Sequence, residues 1–260
     1  MIAVKDKTSY ALEAVRKKLN QIGDVILVGS GKGGVGKSMI ASAIAMTLSK
    51  QGHRTGLLDI DVHGASVANY LGLAPPLRSG EKGLEPKKLG RLKTMSIAFF
   101  AGDNPVPIRG AEKEDLIANL MALTNWGELD YLVVDLPPGM GDEVLSAFSL
   151  FSDRCRLLLV TTPSKYAFRV VSLMCKLAER EKVPLAGVVL NMSYMLSGGR
   201  RIYPFGRADA RRLKNAIGSR IITEIPLDPR INEEPFQVVL KKNNELTEAI
   251  HNLTRKLLEA

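Results

Sequence analysis

The sequence predicts an α/β fold, in which a doubly wound, mostly parallel sheet carries helices on both faces. Short aliphatic runs alternate with helix-like segments along the 260 residues, the pattern of parallel strands joined by helices. Aromatic residues make up 5% of the chain against 45% hydrophobic residues, so aliphatic side chains dominate, as in strands buried on both faces. The glycine-rich stretch GKGGVGKS lies between an aliphatic run and a helical pattern, which is the order that a phosphate-binding loop requires.

Each aliphatic run is interpreted as a buried strand of about five residues. The predicted strands lie within residues 25–28, 55–61, 96–102, 131–139, 156–163, 184–193 and 220–228. Helical periodicity predicts helices between most of them, and right-handed crossovers would join the strands. These helices cover residues 37–51, 112–124, 142–151, 167–181 and 207–217.

Two further helices are predicted near the ends of the chain. The first has an apolar face formed by Leu12, Val15, Leu19 and Ile22. The second, residues 245–259, is interpreted as a packed last helix, with a membrane-surface helix as the alternative. The length of the chain fits one large α/β domain or two small ones.

The net charge of +9 is compatible with binding nucleic acid, anionic lipid or polyphosphate, and also with a lysine-rich solvated surface, which we favour. Residues 198–214 interleave Tyr203 and Phe205 with arginines, a cue for nucleic acid, although a solvated helix and loop is the favoured interpretation. Residues 72–93 are rich in Gly, Pro and Lys and predict an irregular connection with room for a short hairpin.

No apolar run approaches the roughly 20 residues that span a bilayer, and the sequence MIAVKDKTSY lacks the apolar segment of a secretory signal. We therefore expect a cytoplasmic protein without a membrane span. The two cysteines, Cys155 and Cys175, are interpreted as small buried side chains, and they form no CxxC pair.

The pattern GxxxxGK[ST] is met by Gly31, Gly36, Lys37 and Ser38. Its glycines let backbone amides turn toward an anion, and the start of the next helix adds partial positive charge. Lys37 is expected to contact the β- and γ-phosphates, and the Ser38 hydroxyl to hold Mg²⁺. The expected nucleotide-contacting residues of this loop are Gly31, Lys32, Gly33, Gly34, Val35, Gly36, Lys37, Ser38 and Met39.

Three aspartates follow predicted strands, at the edge where open α/β sheets bind ligands. Asp135 ends YLVVD, the form of a Walker B strand, and its carboxylate is expected to hold Mg²⁺ directly or through water. Asp59 and Asp61 close GLLDID on the same side of the strand. One is expected to engage the metal shell and the other to orient the attacking water, although strand-end acids also cap loops.

Together these motifs resemble the Mrp/ApbC, or Nbp-type, branch of the deviant Walker A P-loop ATPases, the superfamily of MinD, ParA and the nitrogenase iron protein. The resemblance covers nearly the whole chain. The matching stretches are SGKGGVGKS (30–38), LLDIDVHGAS (57–66), WGELDYLVVDLPPGMGDE (126–143), LLVTTP (158–163), NMSY (191–194), IYPFG (202–206) and EIPLDP (224–229).

The resemblance implies a single domain over residues 1–260, ATP with Mg²⁺, and a nucleotide-dependent homodimer with slow ATP hydrolysis. It assigns Lys32 the role of reaching the partner's nucleotide, and Asp61 that of orienting water. It places Asn191, Pro226 and Asp228 beside the adenine. Asp59 joins Ser38 and Asp135 as an expected metal-site residue, while Lys32, Lys37, Asp61 and Asp135 are the expected catalytic set.

Family members that carry an iron–sulfur cluster usually have CxxC between the NMSY and IYPFG stretches, where two chains each supply two thiolates. This chain has no cysteine there, so the family's usual cluster site is missing. A role in iron–sulfur cluster assembly would then need an unidentified client protein that brings thiols. The alternatives are a MinD- or ParA-like positioning switch on DNA or a membrane surface, and an ATP-binding regulator with negligible turnover.

Overall fold

The structure is a computed structural model that describes residues 13–61, 64, 66–81, 83–101, 111–209, 211, 221–242 and 244–259. The strands of this part of the chain are β1 (Ile22–Gly29), β2 (Thr55–Asp59), β3 (Arg78–Gly80), β4 (Gly83–Glu85), β5 (Lys87–Leu89), β6 (Leu92–Ser96), β7 (Leu129–Asp135), β8 (Cys155–Thr161), β9 (Leu185–Leu190), β10 (Met195–Ser197), β11 (Arg200–Ile202) and β12 (Ile221–Glu224). The helices are α1 (13–19), α2 (Lys37–Lys50), α3 (Val67–Leu71), α4 (Ala98–Ala101), α5 (Ala111–Leu123), α6 (Asp142–Phe151), α7 (Lys165–Arg180), α8 (Arg230–Glu233), α9 (Phe236–Val239) and α10 (Glu245–Glu259).

Eight of these strands form one sheet in the order β12-β9-β8-β1-β7-β2-β6-β5. Every neighbouring pair is parallel except β5 with β6, which is antiparallel. The helices between parallel strands act as crossovers that cover the sheet. The predicted doubly wound α/β architecture is thereby confirmed.

The two faces of the sheet bury two separate hydrophobic cores, because successive side chains of a strand point in opposite directions. On β1, Val25 and Leu27 enter the core that also contains Phe148 of α6. Ile26 and Val28 enter the core formed with α2 and α10. The terminal helix α10 is therefore a packed helix, as predicted, with Leu246, Ile250, Leu253 and Leu257 buried.

The predicted strand at 96–102 is wrong. The strand is β6, which ends at Ser96, and the AFFA run after it forms α4. The Ser96 hydroxyl accepts a hydrogen bond from the Ala98 N–H at 3.2 Å, so it satisfies a donor at the start of the helix. The first predicted helix ends too late, because Ile22 already belongs to β1, opposite Leu129.

Both irregular segments contain hairpins. Within residues 72–93, β3 pairs with β4, and β5 adds an antiparallel edge strand to the main sheet. Within residues 198–214 the expected helix and loop are replaced at the start by the β10–β11 hairpin. Its turn is Gly198-Gly199, with φ of 56° and 74°, the left-handed pair that two-residue hairpins favour. Most of the predicted helix 207–217, and Leu12, lie outside the described residues.

Cys155 is buried, as expected, and Cys175 is half-buried. Burial raises the pKa of the Cys175 thiol to about 11, so it stays protonated at neutral pH. Among the described residues, no helix is long and apolar enough to cross a membrane.

The packing of Gly56 on β2 generates a test of the core. A Cβ at this position would lie 2.7 Å from Leu129 Cδ1, 2.9 Å from Leu132 Cδ1 and 3.1 Å from Trp126 Cζ3. We expect Gly56→Ala to lower the free energy of unfolding by about 1–3 kcal/mol, because the core is overpacked there. Chemical denaturation measures this loss.

Leu129→Val is the matched partner, because it removes the closest contacting atom. In the double variant, part of the loss from Gly56→Ala should be recovered, so the two effects should not add. Simple additivity of the two losses would contradict this account of the packing.

Candidate functional site

The phosphate-binding loop leaves β1 at the carboxyl edge of the sheet. β1 lies between β7 and β8, and the chain builds the sheet outward on both sides of it, which makes this edge a topological switch point. Gly36 at the start of α2 has φ of 82°, and a Cβ there would lie 2.3 Å from Asn191 Nδ2. Glycine is therefore required both by the backbone conformation and by the contact with Asn191.

A cavity of about 320 Å³ opens above this loop. Its lining combines the loop backbone with side chains from the ends of several strands, the arrangement that α/β sheets use for ligands. The lining residues are Ser30, Lys32, Gly33, Gly34, Val35, Gly36, Lys37, Ser38, Asp61, Gly64, Ser66, Tyr70 and Pro138.

Lys37 is the buried cation of the site. Its Nζ donates to Asp135 Oδ1 at 2.7 Å and lies 3.7 Å from Asp61 Oδ2 and 3.3 Å from Ser38 Oγ. The predicted catalytic residues Lys37, Asp61 and Asp135 are thus brought together from α2, the loop after β2 and the end of β7. A buried lysine that loses its carboxylate partner is costly, so this pair also holds β7 against α2.

Asp59 and Asp135 are fully buried at the ends of neighbouring strands, where the register pairs them directly. Burial, with the nearby charge of Asp135, raises the pKa of Asp59 to about 7. Burial likewise raises the pKa of Asp135, against the opposing effect of Lys37. Asp59 accepts hydrogen bonds from Ser96 Oγ at 2.9 Å and from the Asp61 N–H at 3.1 Å. It therefore also orders the loop that carries Asp61.

The donor set fits a magnesium ion that is held together with phosphate. Asp135 Oδ2 is buried and has no hydrogen-bond partner among the described residues, so one carboxylate oxygen is left for another ligand. In the described residues, no three His, Cys, Asp or Glu side chains form a metal-binding group by themselves. Mg²⁺ is usually bound by one or two protein oxygens plus substrate phosphates and water, so this sparse set suits it.

Asn191 lies under the loop. It is fully buried, and its Nδ2 donates to the Val35 carbonyl at 2.8 Å, while its Oδ1 has no hydrogen-bond partner among the described residues. This hydrogen bond joins residues that are 156 positions apart in the sequence. Asn191 thereby holds the phosphate-binding loop in place. This role is separate from its expected position beside the adenine.

Pro226 and Asp228 line a second cavity of about 320 Å³, which has no lining residue in common with the first. The two cavities are linked through the backbone, because the Ile225 N–H donates to the Leu190 carbonyl immediately before Asn191. Hydrogen bonds from Arg230 hold the pKa of Asp228 below its usual range, so its carboxylate is already engaged.

Two predicted loop residues do not line the cavity. Met39 packs in the core beneath α2. Gly31 faces α7, and a Cβ there would lie 2.6 Å from Val170 Cγ1. Lys32, in contrast, is exposed at the cavity and forms no ion pair with any residue that the structure describes. Of the two lysines in GKGGVGKS, one is therefore committed to this chain's own site and one faces outward.

Sequence reasoning missed Tyr70 of α3, which lines the cavity beside Asp61. Burial and the charge of Asp135 raise the pKa of its phenol. Its ring packs edge-on against Phe236, with centroids 5.5 Å apart. No motif marks this residue, and only the return of α3 toward the loop brings it there.

Comparisons with known proteins show the family of the chain. A family model described as the NUBPL iron-transfer P-loop NTPase matches residues 21–258. An iron–sulfur cluster carrier protein of Saccharolobus solfataricus is 38% identical over 234 residues, covering 85% of this chain and 79% of its own. One from Aquifex aeolicus is 35% identical over 254 residues, covering 93% and 69%.

Solved structures extend the likeness to the fold. A nucleotide-binding protein from Archaeoglobus fulgidus, in complex with ADP, is 33% identical with a TM-score of 0.78, covering 91% of this chain and 96% of its own. The cell-division ATPase MinD of Pyrococcus furiosus has a TM-score of 0.68 at 20% identity, covering 91% and 99%, a likeness of fold alone. Given the family match over nearly its whole length, the chain belongs to the NUBPL-type iron-transfer P-loop NTPase family.

Proposed function

We propose that the protein is a slow, Mg²⁺-dependent ATPase that works as a nucleotide-dependent homodimer. The observation that carries the proposal is that Lys37 and Asp61 line one cavity with the phosphate-binding loop, while the buried Asp135 contacts Lys37 at 2.7 Å. The ADP complex of the similar Archaeoglobus fulgidus protein supports nucleotide binding at this loop.

Nucleotide binding would redistribute the contacts of Lys37. Its Nζ now lies on Asp135, and phosphate oxygens above the loop would draw it toward the cavity as a charge-assisted donor. Asp135, Ser38 and Asp59 would then hold Mg²⁺, which neutralises charge on the β- and γ-phosphates. Burial raises the pKa of both Asp59 and Asp135, and a bound cation would oppose that rise by favouring the ionised carboxylates.

Asp61 is the residue proposed to orient the attacking water. Its Oδ1 accepts from the Gly64 N–H at 3.1 Å, which fixes the carboxylate within the cavity. Hydrolysis of this kind depends on positioning and electrostatics, with little covalent chemistry for the protein to perform. A carboxylate held by a backbone amide beside the γ-phosphate position fits that requirement.

Lys32 is proposed to complete the nucleotide site of a second copy. One lysine suffices for the phosphates bound by its own loop, and Lys37 is already buried there. Because Lys32 is exposed and forms no ion pair with the described residues, its side chain can extend toward a partner's nucleotide. ATP would then join the two chains by placing phosphate charge between them.

The proposed client pathway is iron–sulfur cluster assembly, supported by the cluster-carrier relatives. The segment between NMSY and IYPFG forms the β10–β11 hairpin, in which Ser197 faces Arg200 across the glycine turn. These two positions have CxxC spacing but carry no thiol. We therefore propose that a client supplies the cluster thiolates and that this chain supplies the ATP-driven cycle.

A positioning switch on DNA remains the second candidate, because the same hairpin is basic and exposes apolar side chains. Arg200 is exposed, and Ile202 of the hairpin and Phe205, which follows it, expose 47% and 55% of their surfaces. An ATP-dependent, salt-sensitive gel shift with duplex DNA would favour this candidate over cluster assembly.

Lys32→Ala tests the homodimer. We expect ATP to shift the wild type toward the mass of a dimer in light scattering, and the variant to lose this shift. Nucleotide affinity should stay within about threefold, because Lys37 still contacts the phosphates. Lys176→Ala, which removes an exposed lysine from α7, is the control and should dimerise normally. Loss of all nucleotide binding in Lys32→Ala would contradict a role across the dimer.

Asp61→Asn tests hydrolysis. The amide retains an oxygen for the Gly64 N–H but orients water poorly, so phosphate release should fall by about 10²-fold or more. The ATP-bound dimer should persist, which separates turnover from binding. Asp24→Asn, at the opposite end of the sheet, should leave phosphate release unchanged. Equal turnover in Asp61→Asn and the wild type would remove Asp61 from the mechanism.

Ser197→Cys combined with Arg200→Cys tests the missing cluster site. After anaerobic reconstitution, iron and sulfide assays should find no stoichiometric cluster on the wild type. The double variant should gain one, because four thiolates become available in a dimer. The control is Ser197→Ala with Arg200→Ala, which changes the same positions without adding thiols. A stoichiometric, transferable cluster on the wild type would overturn the proposed division of labour.

A further inference from the structure

A third cavity, of about 470 Å³, lies at the opposite edge of the sheet from the phosphate-binding loop. It opens where β2 and β7 begin, at Thr55 and Leu129, and beside the turn between β5 and β6. Among the described residues, its lining includes one acidic side chain, Glu128, and four cationic ones: Arg54, Lys88, Arg91 and Lys93.

The placement of two of these lysines is electrostatically unfavourable. Lys88 on β5 and Lys93 on β6 are directly opposite each other in the antiparallel register, and like charges at such positions destabilise a sheet. Lys93 is also partly buried, and its Nζ donates to the Trp126 carbonyl. Burial, with the charges of Lys88 and Arg54 outweighing that of Glu85, lowers the pKa of Lys93.

The acidic side chains nearby compensate for only part of this charge. Arg54 donates to Asp130 through Nε at 3.1 Å and Nη2 at 2.6 Å, and it also pairs with Glu128. Among the described residues, Lys88, Arg91 and Lys93 form no ion pair. Three cations without an ion pair among these residues therefore surround a cavity that has the size of small-molecule sites.

Protection of an exposed sheet edge explains only part of the arrangement. Lysines on an edge strand discourage pairing with other chains, and β5 is the edge strand here. That role needs Lys88 or Lys87, but not a half-buried lysine opposite it. Like charges placed opposite each other beside a cavity are instead typical of a binding site, because functional sites depart from the arrangements that would stabilise the fold best.

We propose that this cavity binds a small anion bearing two or more phosphate groups. Guanidinium and ammonium donors from three elements would meet such a ligand, and phosphates are the anions that arginine forks match best. Binding would remove the repulsion between Lys88 and Lys93 and engage Arg91. The site is separate from the phosphate-binding loop, with which it has no lining residue in common.

Calorimetric titration of inorganic tripolyphosphate into the full chain at low ionic strength tests the proposal. The wild type should bind two equivalents per chain, one at each site. Lys88→Gln should lose one equivalent or bind it at least tenfold more weakly. Lys87→Gln is the matched control, because it removes the same charge from the neighbouring position, which faces away and does not line the cavity. It should behave as the wild type.

Two further readouts locate the event. Trp126 is the single tryptophan of the chain and its carbonyl contacts Lys93, so its fluorescence should change with the Lys88-dependent equivalent. Without anion, Lys88→Gln should melt at a higher temperature than the wild type, and added tripolyphosphate should reverse this order. Citrate should bind the Lys88-dependent site at least tenfold more weakly than tripolyphosphate.

The proposal is overturned if Lys88→Gln retains both equivalents at wild-type affinity, if Lys87→Gln loses as much as Lys88→Gln, or if citrate binds equally well. The bound tripolyphosphate that ATP displaces from the wild type, Lys88→Gln and Lys87→Gln alike is the one at the phosphate-binding loop. If no tripolyphosphate bound there, the proposed ATPase would be contradicted, but binding that depends on Lys88 would still be measured. The two failures are therefore distinguishable.

Discussion

The burial of the central strands on both faces is the constraint on which the other features depend. On β1, Val25 and Leu27 enter one core while Ile26 and Val28 enter the other. A strand held this way cannot slip by one residue without exchanging the two cores. Its register with β7 and β8 is thereby fixed, and so is the point where the chain leaves the sheet at Ser30. The packing of β1 therefore sets the position of the phosphate-binding loop.

The buried contact between Lys37 and Asp135 connects this scaffold to its chemistry. Taking both charges out of water is expensive, and their attraction offsets that cost only in good geometry. The 2.7 Å contact provides such geometry, while Asp135 Oδ2 has no hydrogen-bond partner among the described residues. The pair is therefore structural as it stands, and under the proposed function the same residues would turn to phosphate and metal when nucleotide binds. A pair of this kind couples the arrangement of the strand ends to the state of the cavity.

The phosphate-binding loop and the β10–β11 hairpin are separate features of this chain. The loop, the strand-end carboxylates and the outward Lys32 are retained, whereas the β10–β11 hairpin carries Ser197 and Arg200 at CxxC spacing. The hairpin is nevertheless fastened to the body: Arg201 lies 4.0 Å over the Tyr194 ring and pairs with Glu245 of α10 at 2.8 Å. A hairpin that is packed in this way and carries no thiol is compatible with the proposed division of labour, in which a client supplies the cluster ligands.

The sequence by itself determined the α/β class, most strand and helix positions and the residues of the loop, because periodicity and glycine spacing are local properties. It also identified Asp59, Asp61 and Asp135, since each follows an aliphatic run. The start of β1 at Ile22 was missed because its partner, Leu129, is distant in sequence. The helix at Ala98–Ala101 and the hairpin at 195–202 were missed because they depend on the Ser96 hydroxyl and on a glycine turn, which hydrophobic periodicity does not register. Only the tertiary structure brought Tyr70 to the cavity, Asn191 under Val35, and Lys88 opposite Lys93, since such contacts depend on strand order and register, which no local pattern encodes.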